Sequence, residues 1–385
     1  MVHSSVIQQY KKTRLYTESI CKPLQTEDYV VQASEFASPA KWHLAHTTWF
    51  FETFILKEYF QDYKLYHPDF SFLFNSYYNN LGDRVFRANR GNITRPGVEE
   101  VYSYRAYVDK HMNILLNESD STKLDELVTL GIHHEQQHQE LLITDIKYML
   151  ANNPTFPVYD LNKNLVGQSN GADGYVQIDS GLYTIGHQSE GFCYDNEFGV
   201  HQVYLDAFEI SNALVTNQAF MEFIADGGYE NFNLWLDAGW AWVNENQVKA
   251  PLYWHLIDGA WHYYTLAGLQ KVDPKAIVSH ISFYEANAFA RWKGMRLPTE
   301  FEWEVASNQL KWGSRWEWTY SAYLPYPKFK IAAGALGEYN GKFMINQMVL
   351  RGASEATSPQ HSRYTYRNFF HPHERWQYTG LRLVK

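Results

Sequence analysis

Cysteine is nearly absent from this 385-residue chain. Only Cys21 and Cys193 occur, far apart, so a disulfide framework is excluded and a reducing compartment is the expectation. No run of about 18 apolar residues is present, which argues against a membrane-spanning helix. The opening stretch MVHSSVIQQYKKTR has no apolar signal-peptide core, so a soluble, cytoplasmic protein without a membrane partner is expected. A Lys/Arg-rich run is also missing, and the formal net charge is -9. Nucleic acid, which calls for a basic patch, is thereby excluded as a partner. The densest basic segment, Arg84, Arg87, Arg90 and Arg95, is interrupted by Asp83 and Gly91 and suits a small anionic ligand better than a phosphate backbone. There is no internal repeat, low-complexity stretch or nucleotide-binding glycine motif.

What the chain has in quantity is aromatic surface: 17% of its residues, with 13 Trp, 29 Tyr and 23 Phe. Most of these rings must be core, and the rest can wall a ligand or face a cation. The length suffices for two or more domains with substantial interiors.

The most informative stretch is GIHHEQQHQELL, Gly131 to Leu142. His134 and His138 stand one helical turn apart and project from one face, where both can reach a single ion. Extending that face gives Leu124, Leu127, Gly131, Leu141, Leu142, Asp145 and Tyr148, so the histidines sit in the apolar stripe. A second helix is expected from Ser38 as N-cap and Pro39 as first helical residue, with an inward stripe of Trp42, His46, Trp49, Phe50 and Thr53. Paired histidines at this spacing also serve as hydrogen-bonded packing residues. A third histidine among large apolar neighbours favours a metal site of His46, His134 and His138. Glu140 is the expected acceptor for the spare imidazole N–H of His138. His43 and His133 lie off the two stripes and read as surface residues or as partners behind the ligands.

Taken in order, residues 1 to about 35 read as a helix broken near Pro23. The His46 helix follows from Pro39 to Tyr59, then an irregular Asn-, Gly- and Arg-rich loop from Phe72 to Pro96 of the kind that carries function. Helices are expected over Gly97–Asn117 and Leu124–Leu150, the last stopped by Asn152, Asn153 and Pro154. Four helices with short links predict an antiparallel bundle with ligands on facing helices. After Pro157 the pattern changes to short β-like runs, Tyr175–Ile178, Leu182–Ile185 and His201–Phe208, with helical patches at Asn217–Ala225 and Ser282–Trp292. The fold class expected is α+β and multidomain, a helical domain over 1–155 and an α+β domain over 156–385.

With these residues in hand, a resemblance is visible in both halves. LAH at Leu44–His46 with HEQQHQE at His134–Glu140 resembles the DinB-like metal-binding four-helix bundle. The stretches FCYDNEFGVHQVYLDAFEISNALVTNQAFMEFIADGGY from Phe192, RLPTEFEWEVA from Arg296, RWEWT from Arg315, LRGAS from Leu350, and YRNFF with RWQYTGLRL from Tyr366 to Leu383 resemble the formylglycine-generating-enzyme-like domain, a C-type-lectin-related fold. Either half alone says little about function. Their fusion in this order resembles the sulfoxide synthases of ergothioneine biosynthesis, non-haem iron(II) enzymes that join a thiol sulfur to C2 of the imidazole of trimethylhistidine (hercynine).

The resemblance implies Fe(II) on His46, His134 and His138, with hercynine, a thiol and O2 as small-molecule partners and no external reductant. It implies that Gln137, Asn368 and Phe369 receive the quaternary ammonium. Members that use γ-glutamylcysteine carry Asn-Trp-Asp where this chain has Asn368, Phe369 and Phe370, so the carboxylate for the γ-glutamyl amine is missing and cysteine becomes the implied donor. Its carboxylate is expected on Arg87 or Arg90. The NSYY run at Asn75–Tyr78, found in the cysteine-using branch, makes Tyr77 and Tyr78 the candidates for proton delivery during O2 reduction. Alternatives left open are γ-glutamylcysteine or a selenium donor, coupling at C5 of histidine, a zinc-dependent DinB-type thiol transferase, and a non-catalytic binding protein. Formylglycine generation itself is disfavoured, because it uses a cysteine pair and Cys193 stands alone in the second half.

Overall fold

The protein is described by a computed structural model covering residues 2–76, 83–119, 121–168, 174–331 and 340–385. The chain divides into two compact units. The first takes the residues up to Tyr159 together with Thr357–His361, and the second takes the remaining described residues from Asp160 onward. No helix among the described residues is long and apolar enough to cross a membrane.

The first unit is helical: α1 (Val2–Cys21), α2 (Ala40–Phe51), α3 (Lys57–Tyr59), α4 (Phe70–Phe74), α5 (Val98–Glu118) and α6 (Thr122–Ala151). Helix α2 packs on α1, α5 and α6, and α1 also packs along α6. The pattern predicted one inward stripe for α2, yet every one of its residues is buried. A helix apolar on all sides is stable only when enclosed, and α2 is the enclosed element here. Its start differs from expectation. Pro39 occupies the N-cap and no side chain caps the helix, because Ser38 is engaged elsewhere: its N–H donates to Asp145 at 2.9 Å and its hydroxyl meets Arg90 at 2.8 Å. Beyond Phe51 the helix widens into a π-turn over Glu52–Leu56. This insertion turns Glu52 inward, where its carboxylate accepts from Tyr63 Oη, Tyr104 Oη and the Tyr66 N–H.

Gly131 explains how closely α2 and α6 approach. A Cβ at this position would lie 2.6 Å from the Phe51 ring and 3.0 Å from that of Phe50, so only glycine admits these rings one turn before His134. Beside it, Glu135 is fully buried between two arginines. Arg14 of α1 reaches it at 2.8 Å and Arg105 of α5 at 2.5 Å, with the Thr17 hydroxyl at 2.6 Å. Arg14 continues to Asp109 and to Thr48 of α2, and Arg105 to Glu18. All four long helices are therefore tied to one carboxylate. The segment Thr357–His361 lies along α6: the Thr357 hydroxyl donates to Glu140 at 2.7 Å, Ser358 to Gln139, and His361 meets Gln136 and His133.

The second unit is α+β. Strands β1 (Tyr175–Ile178) and β4 (Phe208–Ser211) pair antiparallel, as do β2 (Gly181–Ile185) and β3 (His201–Leu205). The single run expected over His201–Phe208 thus breaks into two strands that join different partners. Strands β5 (Trp254–Ile257), β6 (Ala260–Thr265) and β7 (Gly268–Lys271) form an antiparallel meander. The largest sheet is ordered β10 (Asn368–Phe370), β9 (Met348–Gly352), β8 (Trp316–Ala322) and β11 (Thr379–Gly380), with β11 parallel to β8. Helices α7 (Asn217–Ala225), α8 (Asp237–Glu245), α9 (Phe283–Trp292) and α10 (Glu300–Ala306) complete the unit. Its main core is aromatic, with Phe220, Phe223, Phe289, Trp316 and Trp318 at its centre. Capping boxes fix two helix starts, Ser282 with Glu285 on α9 and Thr299 with Glu302 on α10.

Burial alone would push the Glu135 carboxyl up, but the Arg105 and Arg14 guanidiniums and the Thr17 hydroxyl outweigh it and hold the group at about 2 instead of its ordinary 4.5. A depressed folded-state value means that this contribution is complete above about 4.5 and is lost as pH falls toward about 2. Glu135→Gln leaves two buried guanidiniums without that counter-charge and should cost about 3–5 kcal/mol at neutral pH. Denaturant titration of both proteins should show this gap closing below pH 4.5; a gap independent of pH would refute the assignment.

Candidate metal centre

The structure brings His46 of α2 together with His134 and His138 of α6. One nitrogen from each lies within 4.8 Å of the others, and these three form the only such group of metal-binding side chains among the described residues. His46 and His134 are 1% and 7% exposed, and His138 is half-buried. Nε2 of His46 stands 3.2 Å from Nε2 of His134. The opposite nitrogen of His46, Nδ1, donates to the Phe74 carbonyl at 2.6 Å, so its Nε2 carries the lone pair. Nδ1 of His138 is 2.9 Å from Nδ1 of His43, which likewise leaves Nε2 of His138 for the cluster. Among the described residues Nδ1 of His134 has no hydrogen-bond partner.

Flat packing fixes the ring planes. Trp42 lies parallel to His46 at 4.4 Å and 12°, Trp49 stacks on His46 at 5.5 Å and 18°, and Phe50 stacks on His134 at 4.7 Å. The Arg90 guanidinium covers Trp42, 3.4 Å from the ring centroid. Electrostatics keep the cluster uncharged. Burial, joined by His134 and Arg90, holds His46 well below the ordinary imidazole value. Burial with its neighbouring histidines does the same to His138, and burial lowers His134 to about 4. Three neutral imidazoles converging in a largely buried site are a fitting donor set for a borderline divalent transition metal.

The remaining predicted residues are distributed as follows. Arg90 and Arg87 share a 3-10 turn over Arg87–Asn92. The Arg90 fork bonds the Ser38 and Ser76 hydroxyls at 2.8 and 3.0 Å, while Arg87 is half-buried and accepts from Gln32 through its carbonyl. Gln137 is half-buried on α6, next to His138. Asn368, Phe369 and Phe370 belong to the second unit, on β10, paired with Leu350, Val349 and Met348. There Phe369 stacks on Tyr323 at 4.1 Å and on Phe343 at 5.8 Å. Tyr77 and Tyr78 lie outside the described residues.

The expectation for Glu140 is corrected, and of the two readings left open for His43 the structure shows a partner behind the ligands. Glu140 takes the Thr357 hydroxyl, and the group on the far nitrogen of His138 is His43. His43 is a buried residue, 2% exposed, whose Nε2 faces Asp145 at 3.0 Å. One signal for this was present in the sequence: Asp145 lies on the same α6 stripe as the two histidines.

The class of the second part can now be stated. Residues 162–315 match the Sulfatase-modifying factor enzyme 1-like domain. The chain is also similar to the formylglycine-generating enzyme of Streptomyces coelicolor, 34% identical over 159 residues, 38% of this chain and 50% of that protein. Along nearly its whole length the chain resembles hercynine oxygenases. It is 27% identical to the hercynine oxygenase of Mycolicibacterium smegmatis over 92% of both proteins, and 30% identical to that of Mycolicibacterium thermoresistibile over 51% of this chain and 54% of the relative. The resemblance to hercynine oxygenases, with a formylglycine-generating-enzyme-like second half, is thereby borne out.

A buried histidine that stays neutral while its unfolded counterpart is charged lets the unfolded chain bind more protons, so stability falls as pH drops from about 6.5 toward about 4. His134→Asn should therefore remove about one proton from the uptake on unfolding of the metal-free protein in that window, measured from the pH dependence of unfolding free energy. An unchanged slope would show that His134 is not held neutral by its site.

Proposed function

We propose that this protein is a non-haem iron(II)- and O2-dependent sulfoxide synthase that joins the sulfur of cysteine to C2 of the imidazole of hercynine and oxygenates that sulfur. The observation that carries the reading is the convergence of three histidine nitrogens in a chain that resembles a hercynine oxygenase over 92% of its length. In this reading residues 1–155 are a DinB-like four-helix bundle and residues 156–385 a formylglycine-generating-enzyme-like domain, working in the cytoplasm.

The balance closes without a further reductant. A thiol S–H and an imidazole C2–H are exchanged for a C–S bond, one oxygen atom is transferred to sulfur, and the second leaves as water with the two hydrogens. Iron(II) on His46, His134 and His138 would supply Lewis acidity and activation of O2. The protein's own groups hold the reactants in register, which replaces collision by orientation. Arg87 offers a guanidinium fork to the cysteine carboxylate. Arg90 carries the same charge into the site, and its stacking holds Trp42 flat against His46. Gln137, Asn368 and Phe369 are assigned to the trimethylammonium group, which an amide oxygen and an aromatic face can solvate without an opposing charge. Phe370 stands where the γ-glutamylcysteine-using branch has a carboxylate, and an apolar ring there disfavours a second ammonium group. Tyr77 and Tyr78 are assigned to proton delivery on the resemblance.

A zinc-dependent thiol transferase is the second reading, favoured by the same donor set, because tetrahedral zinc takes three nitrogens and a water. Anaerobic purification, metal analysis and incubation with hercynine, O2 and either cysteine, γ-glutamylcysteine or a selenium donor separate the readings. Mass spectrometry should find the cysteine-derived C2 sulfoxide, and His46→Ala should lose both bound iron and product. Retention of zinc with no O2 uptake would end the iron reading, and a C5-linked product would change its regiochemistry. In parallel, the Tyr→Phe change at whichever of Tyr77 and Tyr78 supplies the proton should divert turnover from C–S coupling toward oxidation of the thiol alone. An unchanged product ratio in both single variants would remove the assignment.

A further inference from the structure

We propose that His43, anchored by Asp145, is a positioning residue that holds His138 in the tautomer with its proton on Nδ1 and its lone pair on Nε2, presetting that imidazole for a metal ion. The inference rests on the reading of His46, His134 and His138 as metal ligands, but its geometry stands apart from any ion.

The polarity of the chain of contacts can be worked out from one end. An ionised carboxylate only accepts. Oδ2 of Asp145 already takes the Ser38 N–H at 2.9 Å, and the second atom facing it, Nε2 of His43 at 3.0 Å, must therefore be an N–H. A neutral imidazole with its proton on Nε2 presents a lone pair at Nδ1. That lone pair faces Nδ1 of His138 at 2.9 Å, so His138 is the donor and its Nε2 is left unprotonated. Reversing the direction would require an imidazolium at His43 or a protonated Asp145. The first is opposed by burial at 2% exposure, the second by the Ser38 N–H already aimed at the same oxygen that would have to donate.

The sequence builds this relay economically. His138 and Asp145 are seven residues apart, two turns along one face of α6, and His43 from α2 fills the interval between them. His46, one turn further along α2, reaches the same state by another route, donating from Nδ1 to the Phe74 carbonyl. Two of the three imidazoles are thus fixed by hydrogen bonds. A ring locked in its ligating tautomer spends no free energy on reorienting when an ion arrives, and loss of such partners typically weakens metal affinity about 10–100-fold.

The test uses the full chain labelled with 15N-histidine and free of metal, observed by long-range 1H–15N correlation at neutral pH, with the His138 signals assigned by their loss in His138→Gln. The wild-type protein should show His138 protonated on Nδ1. His43→Phe, which removes the acceptor, should mix the two tautomers and weaken Zn(II) or Co(II) binding about 10–100-fold in competition titrations. His43→Asn returns an acceptor near the lost Nδ1 and should be milder than Phe, although it fills less space; a packing role alone predicts the opposite order. Should His43→Phe not fold, Asp145→Asn takes its place, with a smaller shift in the same direction. Protonation of His138 on Nε2 in the wild-type chain, or tautomer and affinity unchanged in the variants, overturns the proposal. A wild-type chain that takes up no divalent metal would end the iron reading instead, and the tautomer measurement would still decide this one.

Discussion

The close packing of α2 against α6 is the constraint on which the first unit depends. Gly131 leaves room for the Phe50 and Phe51 rings, and with that contact made the two helices stand near enough for His46 and His134 to bring their Nε2 atoms to 3.2 Å. The same approach turns α2 into a helix with no solvent-facing side. An enclosed helix cannot rotate to relieve strain at one residue without disturbing all the others. Its histidines therefore hold their azimuth as firmly as its tryptophans do, and the stacks of Trp42, Trp49 and Phe50 on the ligand rings follow from that.

Charge is used in the interior for registry more than for net stability. A buried ion pair recovers little more than its desolvation cost, but removing one member is expensive. Glu135, adjacent to His134 on α6, accepts from α1 and α5 at once, and Arg14 and Arg105 go on to touch Thr48 and Thr47 of α2. A helix that slid along its axis would leave one of these groups unpaired. The helices bearing the histidines are thus indexed to each other by contacts that fail steeply when misaligned, which apolar packing by itself would not provide.

Much of this was legible in the residues. The four-residue spacing of His134 and His138 within an apolar stripe, and His46 within another, follow from helical periodicity and are what the structure displays. The helix ends near Cys21, Glu118 and Ala151 follow from Pro23 and from the polar breaks after the last two. The misses share one physical cause: a periodic pattern gives the face of a residue but not its partner across space. Glu140 is near His138 in sequence, yet Thr357 claims it; for His43 the pattern left surface and a place behind the ligands both open, and only its contact with His138 decides for the latter. Ser38 has the chemistry of a cap, but Asp145 and Arg90 compete for it and the helix begins a residue later. The run His201–Phe208 has uniform β character, and only its pairing, β3 with β2 and β4 with β1, divides it. The placement of Thr357–His361 along α6 is a tertiary fact with no local signal.

The composition of the histidine cluster also bears on which donor the proposed reaction takes. Three imidazoles bring no negative charge, and among the described residues the group contains no carboxylate. In our reading a divalent ion would then retain its full charge inside a buried site that also contains the Arg90 guanidinium stacked on Trp42. Coulomb interactions are strongest where water is excluded, so such a site would discriminate in favour of an anion. A thiol that binds as its thiolate supplies that charge, and a carboxylate on the same small molecule matches the guanidinium fork of Arg87. A neutral imidazole ring brings no charge of its own to this field, and in our reading the methylated histidine is distinguished by its shape and its ammonium group. The proposed division of labour, arginines for the sulfur donor and amide and aromatic groups for the methylated histidine, would then have an electrostatic origin in a ligand set built without an acid.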